Sequence, residues 1–231
     1  MSRKSKKEII RTAFTRLFCA FGPQHWWPGQ GRVEIIIGAV LTQNTNWQNV
    51  ERAIARLRRE GLLDFQAIAA CDNGRLAEAI RPSGYFNVKA RRLKAVADFF
   101  ASYKGGDLKA MSRRPLDAFR VDLLAVHGVG KETADDILLY AFDYPVFVVD
   151  AYTLRFLKRH GLLGLEAGYD EAQALFHRSL PRDVKLFNEY HALLVRLGKL
   201  FCRTRPQCQG CPLNDKGLFW GKTPVPGAGG S

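Results

Sequence analysis

Two groups of residues are typed and spaced for chemistry. The first lies in residues 128–156, GVGKETADDILLYAFDYPVFVVDAYTLRF. A turn, His127-Gly128-Val129-Gly130, opens a helix that begins with Lys131 and Glu132, and an apolar run then ends in a lone acid, Asp150, at the start of the next helix. Two glycines permit positive φ and let a phosphate come close. The free N–H groups of a helix start point at an approaching anion, Lys131 adds positive charge, and Val129 packs between the flanking helices. The same turn also suits a plain helix–helix connection closed by glycine. Asp150 likewise suits an N-cap, or a carboxylate that stabilises developing positive charge and orients or deprotonates a water. The second group is FCRTRPQCQGCPL, which spaces Cys202, Cys208 and Cys211 as C-x₅-C-x₂-C. Thiolates so clustered are metal ligands by type. Cys19 and Cys71 stand alone in apolar helical stretches and read as packing residues. The odd total of five argues against a disulfide framework.

These residues sit in a strongly basic chain. Lysine and arginine number 35 against 22 acids, for a net charge of +13, which favours a polyanion through counterion release from phosphates. Hydrophobic residues make up 47%, a normal globular share. No run of about 18 apolar residues occurs, so no membrane span is expected. The start MSRKSKKEIIRTAF lacks the apolar core of a signal peptide, and a cytosolic protein is the expectation.

The elements that must position the two groups read almost entirely as helices. Apolar residues recur at three- and four-residue spacing in 5–21, 33–41, 47–59, 64–71, 74–80, 88–103, 115–126, 131–142, 151–159, 170–179 and 184–200. In 131–142 the core stripe is Ala134, Ile137, Leu138 and Ala141. Glu132 falls about 200° from Ala134 on the helix wheel, away from that stripe. Only PVFVV, 145–149, looks strand-like, and its length also suits a buried connector. The tail 223–231 is expected to be disordered. The fold class is all-α.

With these motifs in hand, LLAVHGVGKETADDILLYAFDYPVFVVDAYTLRF resembles the helix-hairpin-helix, loop and aspartate of the endonuclease III superfamily of DNA glycosylases. The resemblance spans roughly residues 8–213. It implies two helical lobes with a DNA-binding groove between them: residues 1–30 with 144–222, and residues 31–143 containing the hairpin 115–142. It implies a hairpin that grips phosphate, often with a monovalent cation on turn carbonyls, and it makes Asp150 the catalytic acid. EIIIGAVLTQNTNW, 34–47, resembles the segment whose glutamine, here Gln43, enters the duplex. GYFNVKARR, 84–92, resembles the wedge loop, with Tyr85 or Phe86 intercalating. Many relatives carry C-x₆-C-x₂-C-x₅-C around a [4Fe–4S] cluster. This chain is one residue short in the first gap, and Gly217 stands where the fourth cysteine belongs. A cluster completed by Asp215 or water, a zinc site with a histidine, and free thiols all remain open. Arg203, Thr204 and Arg205 would suit a phosphate-touching loop in each case.

Glu132 departs from the superfamily's bifunctional members, in which a lysine at this place forms a Schiff base that leads to strand cleavage. Lys131 lies one position earlier, about 100° around the helix. A carboxylate cannot be that nucleophile, so the lyase step should be absent or weak. Glu132 could instead hydrogen-bond or balance a cationic base, or simply favour the helix dipole. WWP, LTQNTNW, SGYFNVKA and GKETADDIL together resemble the 3-methyladenine DNA glycosylase III branch, which implies a base pocket of Trp26, Trp27, Pro28, Trp47, Glu132 and Asp150. Aromatic faces clamp a flipped base and attract a cationic purine, although any one tryptophan can equally fill a core. The expectation is a monomeric enzyme that hydrolyses the base–sugar bond of alkylated bases in double-stranded DNA. Two alternatives are a glycosylase/lyase for oxidised pyrimidines and a non-catalytic damage-binding protein.

Overall fold

The computed structural model describes residues 4–27 and 29–214. Pro28, Asp215, Gly217 and the tail 223–231 lie outside the described residues. Among the described residues the regular structure is helical throughout, with no strand. The chain forms two compact units, one from Met1–Trp26 with the segment from Pro145 onward, the other from Trp27–Tyr144.

In the first unit, α1 (Lys6–Phe21), α10 (Ala151–Arg159), α11 (Tyr169–Ser179) and α12 (Val184–Leu200) pack together. Ser5 starts α1 through a capping box with Glu8. The residues PVFVV form a connector rather than a strand, and past Pro145 it is buried; Val146, Phe147, Val148 and Val149 are all at most 2% exposed. Phe147 stacks on Phe176 at 3.8 Å, and Phe187 and Tyr190 meet Phe147 edge-on. Tyr190 donates its hydroxyl to the Ile10 carbonyl at 2.8 Å and so ties α12 to α1. Burial of each such ring contributes about 1.5–3 kcal/mol. This core fixes α10, whose first residue follows Asp150. Cys19 is exposed, contrary to its packing assignment, because it lies off the face of α1 that buries Ile9, Ile10, Ala13 and Leu17. Cys71 is buried.

The second unit holds α2 (Arg32–Leu41), α3 (Trp47–Arg59), α4 (Phe65–Ala70), α5 (Asn73–Ala79), α6 (Phe86–Ser102), α7 (Leu108–Met111), α8 (Leu116–Ala125) and α9 (Lys131–Asp136). Helix α7 has no counterpart in the periodicity reading, because four residues are too few to show a period. Helix α6 begins at Phe86, so most of GYFNVKARR is helix and only the turn through Tyr85 is loop. The expected single helix 131–142 is also interrupted: α9 runs into a π-helical stretch, Ile137–Ala141, which packs on α2. The Arg32 Nε donates to the Ala141 carbonyl at 2.8 Å, and the Tyr144 N–H closes on the Leu138 carbonyl at 3.0 Å. Such stretches recur at functional sites.

Candidate active site

Asp150 is the N-cap of α10 and its Oδ1 accepts the Thr153 N–H at 2.7 Å. The carboxylate is buried, and its Oδ2 lies 3.6 Å from Nε2 of His191 on α12. Burial pushes the Asp150 carboxyl up; the nearby His191 and the Thr153 N–H bond outweigh it and hold the group below the usual carboxylate range. The side chain is therefore an N-cap and also an ionised acid in a dry setting. His191 was not singled out from sequence, since one histidine inside an apolar helix carries no spacing signal. Also in this unit, Trp26 has the Lys199 ammonium 5.9 Å above its ring.

In the other unit the hairpin joins α8 to α9. Gly128 takes φ +83°, and a Cβ there would meet Cγ of Arg92 at 2.2 Å. Gly130 is extended, with φ −92° and ψ 179°, so only one of the two glycines uses the left-handed region. Val129 is buried, whereas His127, Gly130, Lys131 and Glu132 are exposed. Asp135 accepts from Arg120 Nε and Nη2 at 2.6 and 3.0 Å, which clamps α8 to α9. The Nε2 of Gln43 donates to the Gly128 carbonyl at 3.1 Å and to Thr133 Oγ1 at 3.0 Å, and its Oε1 accepts from Arg92. Gln43 is thus tied to the hairpin. Thr133 and Arg92 were not read from sequence, because their contacts join segments far apart in the chain.

Tyr85 and Phe86 part company. Tyr85 is 66% exposed at a left-handed φ of +46°, while Phe86 lies under the Arg81 guanidinium at 5.3 Å. The aromatic residues Trp27 and Trp47 meet edge to face at 5.0 Å and 80°, and Tyr140 lies 5.0 Å from Trp27. Both indoles lie against Gly38 of α2: a Cβ there would sit in ordinary contact, 3.4 Å from Trp27 and 3.7 Å from Trp47. Trp47 donates its Nε1–H to Glu51 at 2.9 Å. Tyr140, absent from the sequence reading, reaches this cluster from the π-helical stretch, whose register no periodicity discloses.

The cysteine loop hangs from α10. Arg155 Nε donates to the Cys202 carbonyl at 2.7 Å, and Arg159 reaches Cys202 Sγ at 3.5 Å and the carbonyls of Arg203 and Thr204. Burial, and then the neighbouring Cys208 and Cys202, push the Cys211 thiol up. Among the described residues no group of three or more His, Cys, Asp or Glu side chains could hold a metal ion. The described part of the loop therefore does not fit a [4Fe–4S] cluster or a zinc ion by itself. No helix among the described residues is long and apolar enough to cross a membrane.

A basic chain, a clamped hairpin with an open helix start and a buried ionised acid capping the following helix define a protein that handles DNA. Residues 37–182 match the HhH-GPD superfamily base excision DNA repair protein model, and the chain belongs to that superfamily: it is a DNA repair glycosylase, an enzyme of N-glycosyl bonds. It is 45% identical over 215 residues to the Methanocaldococcus jannaschii protein MJ1434, named as a DNA repair glycosylase, covering 92% of this chain and 97% of that one. It is 30% identical to an endonuclease III of Sulfolobus acidocaldarius, with 78% of each chain covered. Among solved structures it resembles the H. pylori 3-methyladenine DNA glycosylase MagIII bound to 1,N6-ethenoadenine, with TM-score 0.70, 29% identity and 85% of this chain and 98% of that one covered. An endonuclease III–DNA complex, 23% identical, shares the fold at TM-score 0.77, with 91% of this chain and 94% of that one covered.

Proposed function

We propose that the protein is a monofunctional glycosylase that hydrolyses the N-glycosidic bond of alkylated, 3-methyladenine-like bases in double-stranded DNA. Glu132 carries this reading: an exposed acid stands on the first turn of α9 where the superfamily's lyases need a lysine. The cluster of Trp27, Trp47 and Tyr140 supports it, since aromatic faces attract a cationic purine by about 0.5–2 kcal/mol. The neighbour MagIII, whose name carries 3-methyladenine, points the same way.

In this reading the hairpin 127–131 takes a phosphate; a monovalent cation there would share the Gly128 carbonyl with Gln43. Tyr85, rather than Phe86, and Gln43 fill the gap left by the extruded nucleotide. Trp26, Trp27, Pro28, Trp47 and Glu132 attend the base. The C1′–N bond breaks with its electron pair going to the base, which leaves neutral because it began cationic. Asp150 stabilises the oxocarbenium charge on the sugar, water adds at C1′, and its proton passes to the carboxylate or solvent. The product is an abasic site on an intact strand. No step runs through Cys202, Cys208 or Cys211.

The second reading, a glycosylase/lyase for oxidised pyrimidines with Lys131 or another lysine as the amine, draws on the endonuclease III relatives. The test is to incubate methylated and oxidised DNA with the protein, identify the released bases, and add borohydride to abasic DNA. Release of methylated purines without a covalent adduct is expected. Release from oxidised DNA alone, with a strong adduct, would overturn the proposal.

A further inference from the structure

Lys89 is a side chain that the reaction above does not use. It lies on α6, one turn beyond Tyr85 and one turn before Arg92, and is 2% exposed. Its ammonium donates to the Leu41 carbonyl at 2.8 Å and to the Ser83 carbonyl at 2.7 Å. These acceptors stand just before the two segments proposed to enter the duplex, Gln43-Asn44 and Tyr85. Both segments contain a non-glycine residue in the left-handed region, Asn44 at φ +52° and Tyr85 at φ +46°. Such conformations persist only where surrounding structure holds them. A cavity of about 310 Å³ opens between the segments, lined by Gln43, Asn44, Tyr85, Val88, Lys89 and Arg92. From the same face of α6, Arg92 packs under Gly128 and bonds Gln43. One helix face thus carries the exposed tyrosine, the lysine that ties both segments, and the arginine beneath the hairpin turn. An ammonium buried beside a guanidinium is costly; burial, then the Arg92 charge, lowers Lys89 to about 8. Such a group is expected where two carbonyls must be held in fixed relation.

We propose that Lys89 is a positioning residue: it holds the 41–44 and 83–85 segments together in the geometry in which they enter the duplex, so that wedge insertion depends on it although it touches no reacting atom. The proposal rests on the insertion roles of Gln43 and Tyr85.

The probe is a duplex carrying a tetrahydrofuran abasic analogue opposite 2-aminopurine, whose fluorescence rises when the wedge unstacks it. This readout does not depend on which lesion the enzyme excises. At saturating protein, Lys89→Met should give less than roughly a third of the parent's rise while its affinity for undamaged duplex, set by phosphate contacts, stays within about threefold. Lys89→Arg, which keeps charge and donors, should recover part of the signal. Tyr85→Ser should lose it too, and the double variant should fall no further than the worse single one, because the two residues act as a unit. Thermal melts check folding, and Lys89→Gln stands in if the methionine variant does not melt cooperatively. A parent-like signal from Lys89→Met alongside a loss in Tyr85→Ser would overturn the proposal and leave the insertion reading intact. Equal losses on damaged and undamaged duplex would reduce Lys89 to a folding role. Parent-like signals from both variants would sink the insertion reading and this proposal together.

Discussion

Replacing Asp150 separates its cap from the chemistry proposed for it. Asparagine keeps an acceptor for the Thr153 N–H, which Oδ1 now takes at 2.7 Å, and asparagine is as good an N-cap as aspartate. Asp150→Asn therefore loses only the charge at the start of α10, worth about 1–2 kcal/mol in a buried setting. At roughly 2–4 °C per kcal/mol, the melting temperature should fall by roughly 2–8 °C. Asp150→Ala also loses the cap, about a further 1 kcal/mol, and should melt lower still. Chemistry responds on another scale. The carboxylate is buried, so its field on the sugar is poorly screened, and its loss should slow single-turnover excision by about 10²–10³-fold. The assay pairs single-turnover release of methylated bases with thermal melts and with affinity for an abasic-analogue duplex, which should hold. The pH profile adds a sign. Because the folded pKa is lowered, the carboxylate's stabilising effect is complete above the ordinary aspartate value of about 3.9 and is lost only as pH falls through the lower folded value. No fall in activity between pH 5 and 8 should then trace to Asp150. Excision by Asp150→Asn within about threefold of the parent would refute the reasoning outright.

Other outcomes follow from the same structure. Glu132→Gln should raise KM several-fold and leave kcat within about threefold, measured by steady-state excision, since a group that balances a cationic base binds the substrate rather than its transition state. Gly128→Ala forces an L side chain to φ +83° against Arg92, and should cost about 1–2 kcal/mol on thermal or denaturant unfolding. Arg159→Ala should raise the rate at which a disulfide reagent labels Cys202, because the loop loses its bonds to the Arg203 and Thr204 carbonyls. For Lys89, the unfolded chain binds the extra proton between pH 8 and 10.5, so the burial cost is full below about 8 and fades as pH rises through that window. The parent should therefore gain stability relative to Lys89→Met across it, in paired melts.

What the sequence disclosed depended on how local each signal was. Asp150 could be found because an apolar run, a single acid and a new helix lie within a few residues. The hairpin could be found for the same reason, yet the demands on its two glycines could not: Gly128 must lack a Cβ because Arg92, 36 positions away, occupies that space, and its φ of +83° is a second constraint. Tyr140 escaped because the π-helical stretch shifts the 3.6-residue register that helix reading assumes. Sequence reading starts α6 at residue 88, two residues late, and leaves Phe86 in the wedge loop, since a tyrosine in the left-handed region takes the place of the usual polar cap. Cys19 was misassigned because an exposed cysteine beside an apolar stripe looks, in sequence, like part of it. His191, opposite Asp150, sits 41 positions on in an apolar helix.

The proposed function asks a protein of net charge +13 to act on a cationic base. The positive field draws phosphate and opposes a cation, so local groups must reverse the sign where the base lies. Exposed Glu132 and the aromatic faces of Trp27, Trp47 and Tyr140 are of the types that do so. As the glycosidic bond breaks, positive charge leaves the base and appears on the sugar. Groups that attend the base then lose their attraction while Asp150 gains one. In the proposed function, binding and catalysis are thereby assigned to different residues: the first set lowers KM and releases a neutral product, and only the buried acid lowers the barrier. A lysine at 132 would add positive charge at the one place where this scheme needs negative charge, so the glutamate that removes lyase chemistry also favours a cationic substrate.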